Sequence, residues 1–146
     1  MTMRRPQRFQ QGLTLIELMV VVAIIAILAA IGYPMYTQQV QKARRTDARS
    51  ALQQIALAEE RYYSTHGAYT STLGNLDLPA SLADGDTEEQ YYNLAVVVSG
   101  ASSDTFLLTA TPVAGKSQEN DAACTTLTLD QTGSRGATGS DTDKCW

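Results

Sequence analysis

Gly12 closes a short basic stretch holding Arg4, Arg5 and Arg8 and opens onto Leu13-Thr14-Leu15-Ile16-Glu17. Gly12 is the small-residue candidate for a cleavage site, and it stands before the apolar stretch. Cutting after it removes only the charged leader and leaves the apolar segment on the mature chain, the reverse of a secretory signal, which is cut behind its apolar stretch. Glu17 is the one acid inside that segment. A carboxylate at a bilayer centre costs on the order of 2.5–3.5 kcal/mol, less toward the interface, and it needs a cation once it is buried. The two cysteines, Cys124 and Cys145, form no Cys-x-x-Cys pair, and the single histidine, His66, is distant in sequence. That set is too small for a zinc site. It fits a disulfide made in an oxidising compartment such as the periplasm or cell surface.

Lys42, Arg44, Arg45 and Arg49 form a further cluster. It reads either as a phosphate-binding stripe for DNA or as a solvated helix face that meets acids on neighbouring subunits, and a basic run alone does not name its ligand. Asp84-Gly85-Asp86-Thr87-Glu88-Glu89 lacks the spacing of a known calcium loop and reads as a solvated acidic turn. His66 reads as a loop residue. There is no nucleophile–base pair, no phosphate-binding glycine loop and no metal constellation, so the chain reads as a non-enzyme with no cofactor.

These groups need elements to hold them. Leu13 to Tyr33 is almost wholly apolar. A bilayer core of roughly 30 Å takes about 20 such residues as a helix. Beyond Pro34, Val40, Ala43, Ala48, Leu52, Ile55 and Tyr62 recur at helical steps, which predicts an amphipathic continuation to about Tyr63. Gly32 and Pro34 mark the junction, and a proline inside a helix removes a hydrogen bond, so a bend or flexible point is expected there. Both flanks of the apolar run are basic, so charge counting leaves its orientation open. The cleavage signal and the cysteines place the leader in the cytoplasm and the body outside.

Residues 64–90, punctuated by Gly67, Gly74, Pro79 and Gly85, read as a long loop. Strands of period two follow at 91–99, 105–111 and 125–130. Their inward residues are expected to be Tyr92, Leu94, Val96 and Val98, then Phe106, Leu108 and Ala110, then Leu127 and Leu129. The stretch between the cysteines is too polar to order itself by burial. It is expected to be a loop closed by the disulfide at a gain of about 3 kcal/mol, with Trp146 packed beside it. The fold class is α+β: a long N-terminal helix, half transmembrane and half amphipathic, on a small antiparallel sheet with a C-terminal disulfide loop.

Gly12 followed by Leu-Thr-Leu-Ile-Glu-Leu, the Val/Ile/Ala run and Gly32-Tyr33-Pro34 together resemble the type IV pilin family. The head is similar to the small minor pilins, through Tyr62-Tyr63, Gly67-Ala68-Tyr69, Cys124 to Asp130 and the Cys145-Trp146 ending. Leu13 departs from the Phe usual after the cleavage glycine, but it is also apolar. The resemblance implies cleavage between Gly12 and Leu13 by prepilin peptidase, N-methylation of Leu13, and pairing of Glu17 with the N-terminal amine of a neighbouring subunit. It divides the chain into a leader (1–12), a membrane and filament-core helix (13–35) and a head (36–146). The expected partners are other pilins, prepilin peptidase and the inner-membrane assembly machinery. The precursor is expected to span the inner membrane once and then enter an extracellular filament serving adhesion, twitching motility or DNA uptake.

Two alternatives stay open. One is a DNA receptor for natural transformation, which the basic residues and the disulfide loop with Arg135 and Lys144 allow, and the other is a type II secretion pseudopilin. The formal charge of −4 argues against a general DNA binder. Outside residues 1–12 the eleven Lys/Arg fall to eight against fifteen acids, a balance of −7 that weighs further against the DNA reading.

Overall fold

A computed structural model describes residues 14–146, so Gly12 and Leu13 lie outside the described residues. Helix α1 runs from Leu15 to His66 without interruption. By chain contacts the protein divides into a unit ending at Gln38 and a unit spanning Gln39–Trp146.

In the first unit the side chains up to Tyr36 are exposed, and the segment is long and apolar enough to cross a membrane. Thr14 caps its start: the Glu17 backbone N–H donates to Thr14 Oγ1 at 3.3 Å, which satisfies one donor that a helix N-terminus leaves open. Pro34 lies inside α1, and Thr37 Oγ1 donates to the Pro34 carbonyl at 2.9 Å.

The second unit is an α+β head. Its sheet is antiparallel in the order β1 (Tyr92–Ser99), β2 (Thr105–Pro112), β3 (Thr126–Asp130) and β4 (Arg135–Thr138). The register aligns Leu94 with Ala110 and Ala110 with Leu127, and likewise Val96 with Leu108 and Leu108 with Leu129. Because alternate strand residues share a face, this alignment makes one continuous apolar layer. The layer packs with Ala48, Ala51, Leu52, Ile55 and Ala58 of α1 in a single core cluster. Every buried hydrophobic residue among those described falls between positions 48 and 145, so the head has its own core, the condition for folding without the apolar segment.

Three expectations need correction. The polar stretch between the cysteines contains a fourth strand, β4, ordered by pairing with β3 rather than by burial of its own side chains. Gly136 makes that pairing close, since a Cβ there would fall 2.5 Å from Thr128 Oγ1. Ala43 is exposed and outside the core stripe, which takes Ala51 and Ala58 instead. The 64–90 loop opens only after His66 and holds a 3-10 turn at Leu73–Asn75 and a short helix α2 (Ala80–Ala83).

Cys124 and Cys145 are joined by a disulfide and both are fully buried. Trp146 is half-buried, and its Nε1–H donates to the Gly136 carbonyl at 2.7 Å, which holds the C-terminus against β4.

Candidate nucleic-acid interface

The helical spacing of the basic cluster sends its members to different surroundings. Arg45 lies three residues before Ala48 and seven before Leu52, on the core side of α1, and is 8% exposed. Its Nε donates to Asp121 Oδ2 at 2.6 Å and its Nη2 to Asp121 Oδ1 at 2.5 Å, a two-pronged ion pair with a carboxylate itself 2% exposed. The hydrogen bond to Asp121 raises the Arg45 pKa above its ordinary value. Asp121 Oδ2 also accepts Gln118 Nε2 at 2.9 Å, and the same nitrogen donates to the Tyr92 hydroxyl at 2.8 Å. Burial pushes the Tyr92 hydroxyl up to about 12. Arg45 is therefore a structural arginine that ties α1 to the segment before Cys124, and it leaves the set of candidate DNA or subunit contacts.

Arg44 and Arg49 flank it and point to neighbours without negative charge. Arg44 Nη1 donates to Ser117 Oγ at 2.7 Å, and its guanidinium lies 3.6 Å from the centre of the Tyr91 ring. The Lys116 ammonium shares that ring at 5.4 Å and donates to the Gln90 carbonyl. Arg49 Nε donates to the Cys145 carbonyl at 2.7 Å, which docks the disulfide end of the chain on α1. Its pKa is lowered, by burial first and then by the charge of Arg45 and, more weakly, of Arg135. Arg135 on β4 stands 5.3 Å over the Trp146 ring. Lys144 is bridged to Asp141. Lys42 is exposed one turn before Thr46, whose hydroxyl bonds its carbonyl.

Of the eight Lys/Arg outside the first twelve residues, Arg45, Arg49, Arg135 and Lys144 thus gather at the docked C-terminus, and Arg44 and Lys116 share the Tyr91 ring. Among the described residues the ion pairs are Arg45–Asp121 and Lys144–Asp141. Arg44, Arg49, Lys116 and Arg135 rest on aromatic rings, a hydroxyl or carbonyls and keep their charge unneutralised. These are two basic, aromatic-backed groups on an acidic chain, one on each side of buried Arg45, and both are suited to phosphate contacts and stacking. Lys116 lies far from the helix cluster in sequence, and no local pattern joined it to that cluster. Glu17 is exposed at the start of α1, and its carboxylate makes no hydrogen bond among the described residues.

Comparison with known proteins gives the following. A family described as "Type IV minor pilin ComP, DNA uptake sequence receptor" matches residues 34–128. A prokaryotic N-terminal methylation motif matches residues 7–33. Type II secretion system core protein G of Pseudomonas aeruginosa is 36% identical over 87 residues, covering 60% of this chain. The match spans 61% of that relative's length. The crystal structure of the non-core minor pilin PilV of Neisseria meningitidis is similar at a TM-score of 0.48 and 26% identity, over 70% of this chain and 91% of that one.

Proposed function

This chain belongs to the type IV minor pilin family described as ComP, DNA uptake sequence receptor, and from that premise we propose that it is a filament subunit that binds duplex DNA through the face built by Arg44, Arg49, Lys116 and Arg135. The observation that carries this reading is that these four cations, Arg44 and Lys116 at the Tyr91 ring and Arg49 and Arg135 at the docked C-terminus, have no carboxylate paired to them among the described residues. Net charge is a poor guide here, because phosphate binding responds to the local field and not to the sum. Tyr91 and Trp146 lie under three of the cations, Arg44 and Lys116 on the first ring and Arg135 on the second, and add apolar surface. Base-edge contacts would supply any sequence preference, and phosphate contacts the bulk of affinity.

The remaining parts follow from the same reading. Prepilin peptidase cuts between Gly12 and Leu13, Leu13 is N-methylated, and the retained helix anchors the precursor in the inner membrane. Glu17 then pairs with a neighbouring subunit's terminal amine in the filament. Pro34, with Gly32 beside it, is the point where the helix yields under extension.

The experiment is a salt titration of the head, residues 39–146, with duplex DNA. Four phosphate contacts predict a slope of log affinity against log salt of about −3.6. A head that does not bind at low salt sinks the DNA reading and leaves the pilin reading standing. The identity to a type II secretion protein favours a second reading, a pseudopilin. Mass spectrometry of sheared filaments separates the two: a pilin is recovered there with a methylated Leu13 terminus, and a pseudopilin stays with the membrane.

A further inference from the structure

Arg61 stands apart from the basic face. It lines a cleft of about 190 Å³ between the last turns of α1, with Ala58 and Tyr62, and the loop segment Asn75, Leu76 and Asp77. Arg61 comes to it from the helix and Asp77 from the loop, yet the two form no ion pair. Both walls are held in place. His66 stacks on the Tyr62 ring at 3.9 Å between centres and 10° between planes. On the loop side, buried Glu59 accepts the Thr70 N–H at 3.1 Å, and Thr70 Oγ1 accepts Asn75 Nδ2 at 3.2 Å. One hydrogen of the Asn75 amide nitrogen goes to Thr70, and the amide's second hydrogen and its carbonyl oxygen are left as donor and acceptor. Ala58 and Leu76 are buried beneath.

The geometry points to a binding site for one neutral sugar ring of the pyranose class. The cleft is smaller than the roughly 300–1,000 Å³ of sites that take drug-sized ligands, so a single ring is the right size. Arg61, Asn75 and Asp77 are exposed, and charge attraction between solvated groups is worth little. That disfavours a ligand held by its own charge. Neighbouring hydroxyls, which donate and accept at once, match a guanidinium, a carboxylate and an amide oxygen around one rim. The C–H face of a pyranose matches the half-exposed Tyr62 side chain, which lines the cleft above buried Ala58 and Leu76. The site is independent of the DNA face: Arg61 lies twelve residues beyond Arg49 on the same helix, about 18 Å along its axis.

The test is an amide-resolved NMR titration of residues 39–146 with D-galactose, D-glucose and N-acetyl-D-glucosamine, each alone, and with glycine and aspartate as charged small molecules. At least one sugar produces saturable shifts at Arg61, Tyr62, Asn75 and Asp77, with a Kd on the order of 1 mM. Asp77→Asn and Arg61→Ala each weaken it at least tenfold, leave the rest of the spectrum in place and do not change DNA binding. Absence of saturation with all three sugars overturns the proposal. So does saturation by glycine or aspartate in their place, or full sugar binding by both variants.

Discussion

Glu59 accepts the backbone N–H of Thr70 through Oε2 at 3.1 Å, while its second carboxylate oxygen is equally buried and has no partner. A fully buried acid with half its acceptors idle is held where its charged form is disfavoured, and burial raises its pKa above the ordinary 4.5. The folded state therefore binds this proton more tightly than the unfolded state does. The contribution is fully present below the ordinary carboxylate pKa and is lost as pH rises through the raised value. Glu59→Gln keeps an acceptor for Thr70 and removes the charge. It is expected to raise the melting temperature of the head at pH 7 by a few degrees, roughly 4–8 °C for each kcal/mol recovered in a domain of this size. It also removes this site's share of the pH dependence, so the variant and the parent converge as pH is lowered toward 4. Melts recorded between pH 4 and pH 8 check both. A variant less stable than the parent at pH 7 would mean that the carboxylate has a buried cationic partner.

Asp121 is the opposite case, a buried acid whose whole carboxylate is used. Both oxygens face Arg45, and Oδ2 also serves Gln118. Asp121→Ala leaves a guanidinium buried and unpaired, at a cost of about 3–5 kcal/mol. The double variant Arg45→Met, Asp121→Leu removes both charges and is expected to recover most of that loss. Urea unfolding of the three proteins measures the difference. Equal losses in the single and double variants would show that the pair is worth its burial.

How these two acids could have been found shows what the sequence discloses. The core stripe of α1 runs through Ala48, Leu52 and Ile55 at alternating steps of four and three. Extended by one step at each end, the same stripe takes in Arg45 and Glu59, the two charged residues that are buried on α1. Their spacing with the apolar residues was visible, but residue type argued for the surface, and the partners that overrule it, Asp121 and Thr70, come from 76 and 11 residues away. Strands β1, β2 and β3 were legible within about a residue because one face of each is apolar and the other polar. Strand β4, Arg-Gly-Ala-Thr, has no such alternation and exists because β3 offers an unpaired edge. The Arg44, Lys116 and Tyr91 group was not legible for the same reason: tertiary packing, not spacing, assembles it.

For the DNA face, single charge removals should act on phosphate contacts one at a time. Arg44→Gln, Lys116→Gln and Arg135→Gln are each expected to make the salt slope about 0.9 less steep and to weaken binding to any duplex in similar proportion. Arg49→Gln should do more, because it also releases the Cys145 carbonyl and with it the segment carrying Lys144 and Trp146. Fluorescence anisotropy at a series of salt concentrations, with circular dichroism as a folding control, reads both effects. An unchanged slope in all four variants would place the DNA contacts elsewhere on the head.

The C-terminal docking has its own prediction. Gly139 sits at φ 140°, and a Cβ there would fall 2.2 Å from the Ala123 carbonyl oxygen, next to Cys124. Gly139→Ala should force β4 and the disulfide segment off that contact and cost about 1–3 kcal/mol through backbone strain. Cys124→Ser with Cys145→Ser should cost about 3 kcal/mol by releasing the closed loop. Because both act on one segment, the triple variant is expected to lose less than the two losses combined. Denaturant melts decide it, and strict additivity would mean that Gly139 and the disulfide stabilise separate regions.

At the other end of the chain, Thr14 and Glu17 divide their tasks. The Thr14 hydroxyl accepts the Glu17 backbone N–H, so the helix start is capped without the Glu17 carboxylate. Under the proposed assembly that carboxylate takes a neighbour's terminal ammonium, and a buried ammonium left alone costs about 3–5 kcal/mol. At about 1.4 kcal/mol per factor of ten, Glu17→Ala should lower incorporation into filaments by a hundredfold or more. Thr14→Ala should lower it only a few-fold, since a lost helix cap costs about 1 kcal/mol. Quantifying each variant in sheared filaments against the membrane fraction checks both. Wild-type incorporation of Glu17→Ala would remove Glu17 from assembly. Equal defects in the two variants would make the cap, and not the charge, the assembly determinant.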